Sequence, residues 1–487
     1  MTLNPELRRY LWLELSPGRL ILMPVVLGLI LLLIGVWTFD GSRPGGGPDF
    51  LGTISGTASA GYVLLVLFLG ARAAANAMVR EVAERTWDQQ RLSSTGAWSM
   101  TWGKLFGSTI YVWYGCAILL VVTLTSMTLW DMHYEGVSSE TGETIPVSLV
   151  QLTVGLVAMT ILIEAAAILV VMTTVSRRES ARQLDVTIAQ IIVFVVGVSA
   201  VGMLSDLQGG ETVYWYGHGF NAIWFSVVSI VLFAAWGVIG LWRRMRVELQ
   251  MKNLPVMWPV FVLFSGIWLS GVLLGEENAD TVTFTVLIVT VTSMLSTYVP
   301  AVLERMDPVH LRRLIGTLQE RRFAQALRHA PLWVVAHAMS LVGVVLSAIL
   351  LLTSTPGVLL EEAQDLTQVD VPSLAAGTLV AWYLFITRDL LLLMFAWLGK
   401  RTRRAFTTWL IWMALLYGLA PMIVAAIGGY AFLPAFAPFW DVPYVNFAIP
   451  PIIWPIGEVV LVGLLLRWRW RRYAAATVAQ TSVGEDA

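Results

Sequence analysis

Cysteine is almost missing from this chain: Cys116 is the one cysteine among 487 residues, and it falls inside an apolar run. That excludes a disulfide framework and a thiolate metal cluster. Charge is scarce as well. Asp, Glu, Lys and Arg make up 13% of the chain, against about 25% in an ordinary soluble domain. Hydrophobic residues reach 57% and mean hydropathy is +0.73, the composition of an integral membrane protein. A formal net charge of -1 argues against a general nucleic-acid binder. The histidines, His133, His218, His310, His329 and His337, show no i,i+4 pair, which argues against a zinc or copper site. No phosphate-binding Gly-x-x-x-x-Gly-Lys-Ser/Thr loop occurs, because Gly103-Lys104 runs into Leu105 and an apolar stretch. No serine stands in a Gly-x-Ser-x-Gly elbow. ATP hydrolysis by this chain and a cofactor held within it are not expected.

What the chain has instead is a succession of apolar runs, each close to the roughly 20 residues that cross a bilayer as a helix. Residues 19–38 are the first, and no small-residue cleavage site follows them, so they read as a span rather than a signal peptide. Residues 53–78, 105–127, 145–175, 186–204 and 221–242 complete one group. A second group comprises 256–274, 281–303, 331–352, 371–398, 405–427 and 452–466. The expected fold is an all-α polytopic membrane protein with about 12 transmembrane helices. Basic residues gather in alternate connections, among them Arg80, Arg85, Arg91, Lys104, Arg177, Arg178, Arg312, Arg313, Lys400 and Arg401, while the opposite loops hold only Arg43. The positive-inside rule then places both termini in the cytoplasm. Ahead of the first span, residues 1–18 suit an interfacial helix, with Asn4 as N-cap and Pro5 at the first helical position.

A polar, tryptophan-punctuated segment separates the second and third spans: ERTWDQQRLSSTGAWSMTWGK, residues 84–104. Such a segment cannot lie in hydrocarbon and belongs at a membrane face. An acid precedes a threonine, another acid follows two places later, and Gly-Lys closes the segment: Glu84, Thr86, Asp88, Gly103 and Lys104. In this it resembles the cytoplasmic coupling segment of ABC-2-type exporter permeases, departing from the family where Ser93-Ser94-Thr95-Gly96 stands near a frequent proline. The chain also repeats itself. The second span of each group runs into a charged segment opening Glu-Arg, at Glu84-Arg85 and at Glu304-Arg305, and each group ends on an aromatic outer loop before its last span. The resemblance implies two fused six-helix halves, residues 19–242 and 256–470, joined by a linker or second elbow at 243–255 and followed by a cytoplasmic tail at 471–487. It implies coupling segments at 84–104 and 304–330. It further implies an inner-membrane permease served by separate cytoplasmic ATPase subunits, two copies, which bind the ATP and Mg. The residues expected to meet them are Glu84, Arg85, Thr86, Trp87, Asp88, Gln89, Glu304, Arg305, Arg312 and Arg313.

Ionisable residues inside spans are expensive and so are candidates for function. They are Arg72, Glu164, Arg388, Asp389 and Glu458, with Glu164 and Arg388 in corresponding spans and expected to face each other across a pathway. An intramembrane salt bridge that fixes helix packing is the alternative. Small residues from Gly52 to Ala75 are read chiefly as permitting close helix approach. Two other functions fit a chain of this class. An ion- or proton-driven secondary transporter would use Glu164, Arg388 and Glu458 as a proton relay; a membrane-embedded enzyme or assembly scaffold would work with no ATPase at all. The residues do not specify a substrate.

Overall fold

A computed structural model describes residues 4–38, 46–92, 95–134, 149–178, 183–205, 212–251, 255–275, 280–304, 308–353, 371–399, 404–436 and 452–485. Among these, ten helices are long and apolar enough to cross a membrane. The chain is an all-α, multi-pass membrane protein, one short hairpin aside. It divides into two compact units, the first of Met1–Val213 with Gly219–Asn253 and the second of Tyr214–His218 with Leu254–Ala487.

Unit 1 begins with α1 (Pro5–Glu14), whose N-cap Asn4 accepts from the Glu6 amide as its sequence anticipates. Then come α2 (Pro17–Thr38), α3 (Gly46–Leu64), a π turn (Leu65–Gly70) and α4 (Ala71–Ala83). The polar segment holds α5 (Thr86–Arg91) and α6 (Ala97–Gly107). Three long helices follow, α7 (Ile110–Tyr134), α8 (Leu149–Arg178) and α9 (Gln183–Ser205), and after a hairpin comes α10 (Ala222–Glu248). Lipid tails are as apolar as leucine, so helices in a bilayer associate through close packing rather than through escape from water. The small residues of α4 serve that purpose: Ala71, Ala74 and Ala75 are fully buried where α4 packs on α8 and α9. On α9, Gly197 lets Leu67 of the π turn approach, and a Cβ there would lie 2.1 Å from its Cδ2. By contrast α2 exposes Leu29, Leu32, Leu33 and Val36, side chains that lipid would cover.

Unit 2 runs through α11 (Met257–Leu274), α12 (Thr281–Ser296), α13 (Tyr298–Leu303), α14 (Pro308–Gln319), α15 (Phe323–His329) and α16 (Leu332–Thr353). It continues with α17 (Val371–Trp397), α18 (Ala405–Ala414), a second π turn (Leu415–Leu419), α19 (Ala420–Ala426) and α20 (Ile453–Glu485). Its core centres on Met294, Trp333, Leu390 and Leu393, where α12, α16 and α17 pack together.

The structure departs from the sequence reading in three places. The expected fifth and twelfth spans are helical, in α9 and α20, but neither is among the ten, and the apolar part described for α9 is Ala189–Gly202. The expected second elbow at 243–255 is not a separate helix over its first half. Arg243–Glu248 are the last turns of α10, since no proline interrupts the chain before Pro255 and Arg244 pairs with Glu248 across one turn at 2.6 Å. Third, the connection after α9, read as an aromatic outer loop, contains a hairpin, β1 (Thr212–Trp215) and β2 (His218–Asn221). Tyr216 and Gly217 both have positive φ, the conformation of a tight two-residue hairpin turn. Within unit 2 the turn seats on the end of α11. Tyr216 Oη is 2.6 Å from Ser270 Oγ, and Trp215 lies against Gly271, where a Cβ would fall 2.1 Å from its Nε1. Of the other outer loops, 135–143, 276–279, 361–370 and 437–451 lie outside the described residues, as do Arg43 and the basic turns at 179–182 and 400–403.

Candidate functional site

The polar segment of unit 1 is a folded element with a buried side and an exposed side. Helix α4 ends at Ala83, and Arg85 then adopts a left-handed conformation (φ 58°) that reverses the chain into α5. The Thr86 hydroxyl donates back to the Glu81 carbonyl at 3.2 Å, fastening the turn. Trp87 is buried, whereas Glu84, Arg85, Asp88 and Gln89 are exposed and Leu92 is 90% exposed. Ser93 and Ser94 lie outside the described residues.

Lys104 organises the buried side. It is 1% exposed, and its ammonium donates to Glu81 Oε2, to Gln90 Oε1 at 3.0 Å and to Glu6 Oε1 at 3.4 Å. The Trp87 ring lies 4.9 Å away, an aromatic face presented to the cation. Glu81 in turn receives Arg9 at 2.5 Å and the Tyr10 hydroxyl at 2.6 Å on its other oxygen. Two carboxylates, Glu6 and Glu81, thus balance two cations, Lys104 and Arg9, which is what makes burial tolerable. Burial, and next the Glu81 charge, push the Tyr10 phenol above its usual range, so it remains a neutral donor to that carboxylate.

Glycine brings these groups together. On α6, a Cβ at Gly103 would fall 2.6 Å from Glu6 Cβ, and one at Gly107 would fall 2.7 Å from Tyr10 Cδ2. Gly-x-x-x-Gly spacing puts both on one face and lets α1 lie directly on the α6 backbone. The Asn4 amide adds a bond to the Ser99 carbonyl at 2.6 Å. Gly103→Val is therefore expected to cost about 1–3 kcal/mol through overpacking, read as a lower unfolding midpoint in a detergent titration. Gly56→Ala, where nothing lies within 4 Å, is expected to leave that midpoint in place. On its other flank the segment is held by α10: Arg91 Nε donates to the Glu248 carbonyl at 2.9 Å.

In unit 2 the corresponding stretch is built differently. The Glu304 carboxylate accepts from the Leu332 amide at 2.8 Å, capping the start of α16. Arg312 and Arg313 are exposed on α14, whose Leu311 and Leu314 are buried, and Arg321 (φ 57°) turns the chain toward α15. Arg305 lies outside the described residues.

Arg388, Asp389, Glu458 and Glu164 find hydrogen-bond partners inside their own units. In unit 2, Arg388 bonds Asp389 at 2.9 Å and Glu458 at 2.5 Å. Tyr298 and Tyr417 donate to the free oxygen of Asp389 at 2.7 and 2.6 Å, and Trp409 donates to its carbonyl. The guanidinium is bracketed by the Phe385 and Tyr417 rings at 4.8 and 5.0 Å. One cluster therefore joins α13, α17, α18, the second π turn and α20. In unit 1, Glu164 is fully buried and accepts from Trp113 Nε1 at 3.0 Å. Arg72 is exposed on α4 and joins neither cluster.

Glu81 is the residue that the sequence reading missed. Its signal was present: an acid one turn before Glu84 at the end of an apolar run, with Gly103 and Gly107 marking where another helix could come close. No protein-family model, curated protein or solved structure matches this chain.

Proposed function

We propose that the chain is the membrane-spanning permease of an ATP-driven exporter resembling the ABC-2 type. Each unit supplies one six-span half, α9 and α20 complete the twelve, and both termini face the cytoplasm across an inner membrane. Two separate ATPase subunits, which bind the ATP and Mg, dock on the polar segments. One observation carries this reading: α5 is a short helix slung between two membrane helices, anchored on one side by Trp87 and the Lys104 cluster and exposed on the other through Glu84, Arg85, Asp88 and Gln89.

A coupling element has to receive a push without deforming. A push on α5 would pass through Lys104 and Glu81 to the last turn of α4 and to α1, and through Arg91 to the end of α10. Several helices of unit 1 would then shift together, which is the mechanical requirement for switching access. In unit 2 the exposed Arg312 and Arg313 on α14 are the proposed counterpart.

The test is co-purification in mild detergent. Wild-type chain is expected to bring a stoichiometric ATPase with it. Changing Glu84, Arg85, Asp88 and Gln89 together to Ala is expected to lose that ATPase while unfolding stays within about 0.5 kcal/mol per site, as for other exposed positions. An ATPase retained by the variant would overturn the assigned face. No ATPase with either protein, and transport abolished by an uncoupler, would favour the proton-driven transporter instead.

A further inference from the structure

Glu164 stands apart from every other buried acid described in this chain. Glu81 and Asp389 each meet a cation and at least one tyrosine hydroxyl. Glu164, with none of its surface exposed, lies within the span Leu149–Thr174. Its Oε2 accepts from Trp113 Nε1, the Thr109 hydroxyl is its other polar neighbour, and no hydrogen bond of ordinary geometry reaches its Oε1 among the described residues. No Lys, Arg or His side chain among them pairs with it.

What surrounds it is apolar or neutral. The titratable side chains near enough to feel its charge are Tyr62 and Cys116, both buried. The Tyr62 hydroxyl already shares a hydrogen bond with Thr160 at 2.8 Å, and that of Thr109 donates to the Leu105 carbonyl. Opposite Oε1 is Gly70, the last residue of the π turn, where a Cβ would lie 3.6 Å from the oxygen. A π turn widens a helix by one residue and is frequently found at functional positions.

An ionised carboxylate here would have one N–H donor, a hydroxyl already committed to a backbone carbonyl, and no counter-charge in a site closed to bulk solvent. Burial of an unpaired charge is far costlier than taking up a proton, and a carboxyl so placed neutralises itself. We propose that Glu164 is a proton-binding site at the centre of unit 1, with its carboxyl neutral in this arrangement. Release breaks the carboxyl O–H bond, passes the proton to water and leaves a carboxylate, and it requires water or a donor to reach Oε1.

The site is wired to the polar segment by aromatic contacts. Trp98 meets Trp102 with centroids 5.3 Å apart, Trp102 stacks on Phe106 at 5.4 Å, and Phe106 meets Trp113 at 5.3 Å. The column starts on α6, the helix that also carries Lys104, and ends on the N–H that holds Glu164. A shift of α6 would move that N–H, and with it the proton affinity of the carboxyl.

This inference does not rest on the exporter reading, and its test needs no ATPase. The full chain in lipid nanodiscs is examined by infrared spectroscopy, wild type against Glu164→Gln. A free glutamate with its ordinary value of about 4.3 is protonated in roughly one molecule of 500 at pH 7. We expect the difference spectrum at that pH to show the carbonyl band of a protonated carboxylic acid for most molecules, more than ~100-fold above that fraction. Carboxylate bands in its place would overturn the proposal. Trp113→Phe removes the N–H donor to Oε2 and is expected to move the acid carbonyl band to higher frequency, a change that a purely structural role would not produce. Should Glu164→Gln not fold, the same variant decides: a shifted acid band assigns the proton to Glu164, and an unshifted spectrum contradicts the assignment.

Discussion

Lys104→Met is expected to destabilise unit 1 by about 3 kcal/mol, toward the low end for breaking a buried ion pair because Arg9 still faces Glu81. The methionine fills nearly the same volume, so the loss is electrostatic: Glu81 keeps its place but loses the closest of its cations. Gln90 and the Trp87 face lose the same partner. The double variant Lys104→Met, Glu81→Gln removes both charges and is expected to be less destabilised than the sum of the two single changes. Unfolding titrations in detergent on the four proteins of that cycle measure the coupling directly. Additive losses would mean that Lys104 and Glu81 do not act as a pair. Asp88→Asn in the same segment would show almost none of this, since its pair with Arg91 is exposed and such pairs contribute about 0–1 kcal/mol.

Arg388→Met is expected to cost still more, about 3–5 kcal/mol, because it strands two carboxylates, Asp389 and Glu458, with no cation. Arg388→Lys is not expected to restore stability in full. An ammonium cannot match the guanidinium's simultaneous reach to Asp389 and Glu458 between two aromatic faces. The expected order of unfolding midpoints is wild type, then Lys, then Met. Equal midpoints for the Lys variant and wild type would show that charge alone, without the fork, holds the cluster. Such a result would also weaken the view that this cluster fixes how α17 packs on α18 and α20.

The apolar runs announced the helices because a bilayer leaves a spanning chain almost no other way to satisfy its backbone. Residues 257–274 and 332–353 needed no tertiary information to be found. Partnerships were harder. Lys104 was visible as the end of a motif, yet its partner Glu81 lies 23 residues earlier, and Glu6, Arg9 and Tyr10 join them only because α1 settles over Gly103 and Gly107. Asp389 adjoins Arg388, but Glu458 and the two tyrosines come from distant helices, and no local periodicity points to them. Arg388 has two acids within its own unit, and Glu164 has an indole. The hairpin was missed for a local reason, since its aromatic strands resemble headgroup anchors and only Tyr216-Gly217 marks the turn.

In the proposed exporter the exposed face of α5 receives an ATPase. A photo-crosslinking amino acid in place of Asp88, irradiated in cells that make the full chain, tests it most directly. Asp88 is exposed, and its ion pair with Arg91, at 3.7 Å, is a weak surface contact, so the replacement is expected to leave the fold unchanged. One dominant adduct is expected, to a cytoplasmic nucleotide-binding ATPase, and none from the same probe placed at exposed Leu33 on α2. Adducts to lipid alone, or no protein adduct from position 88, would contradict it.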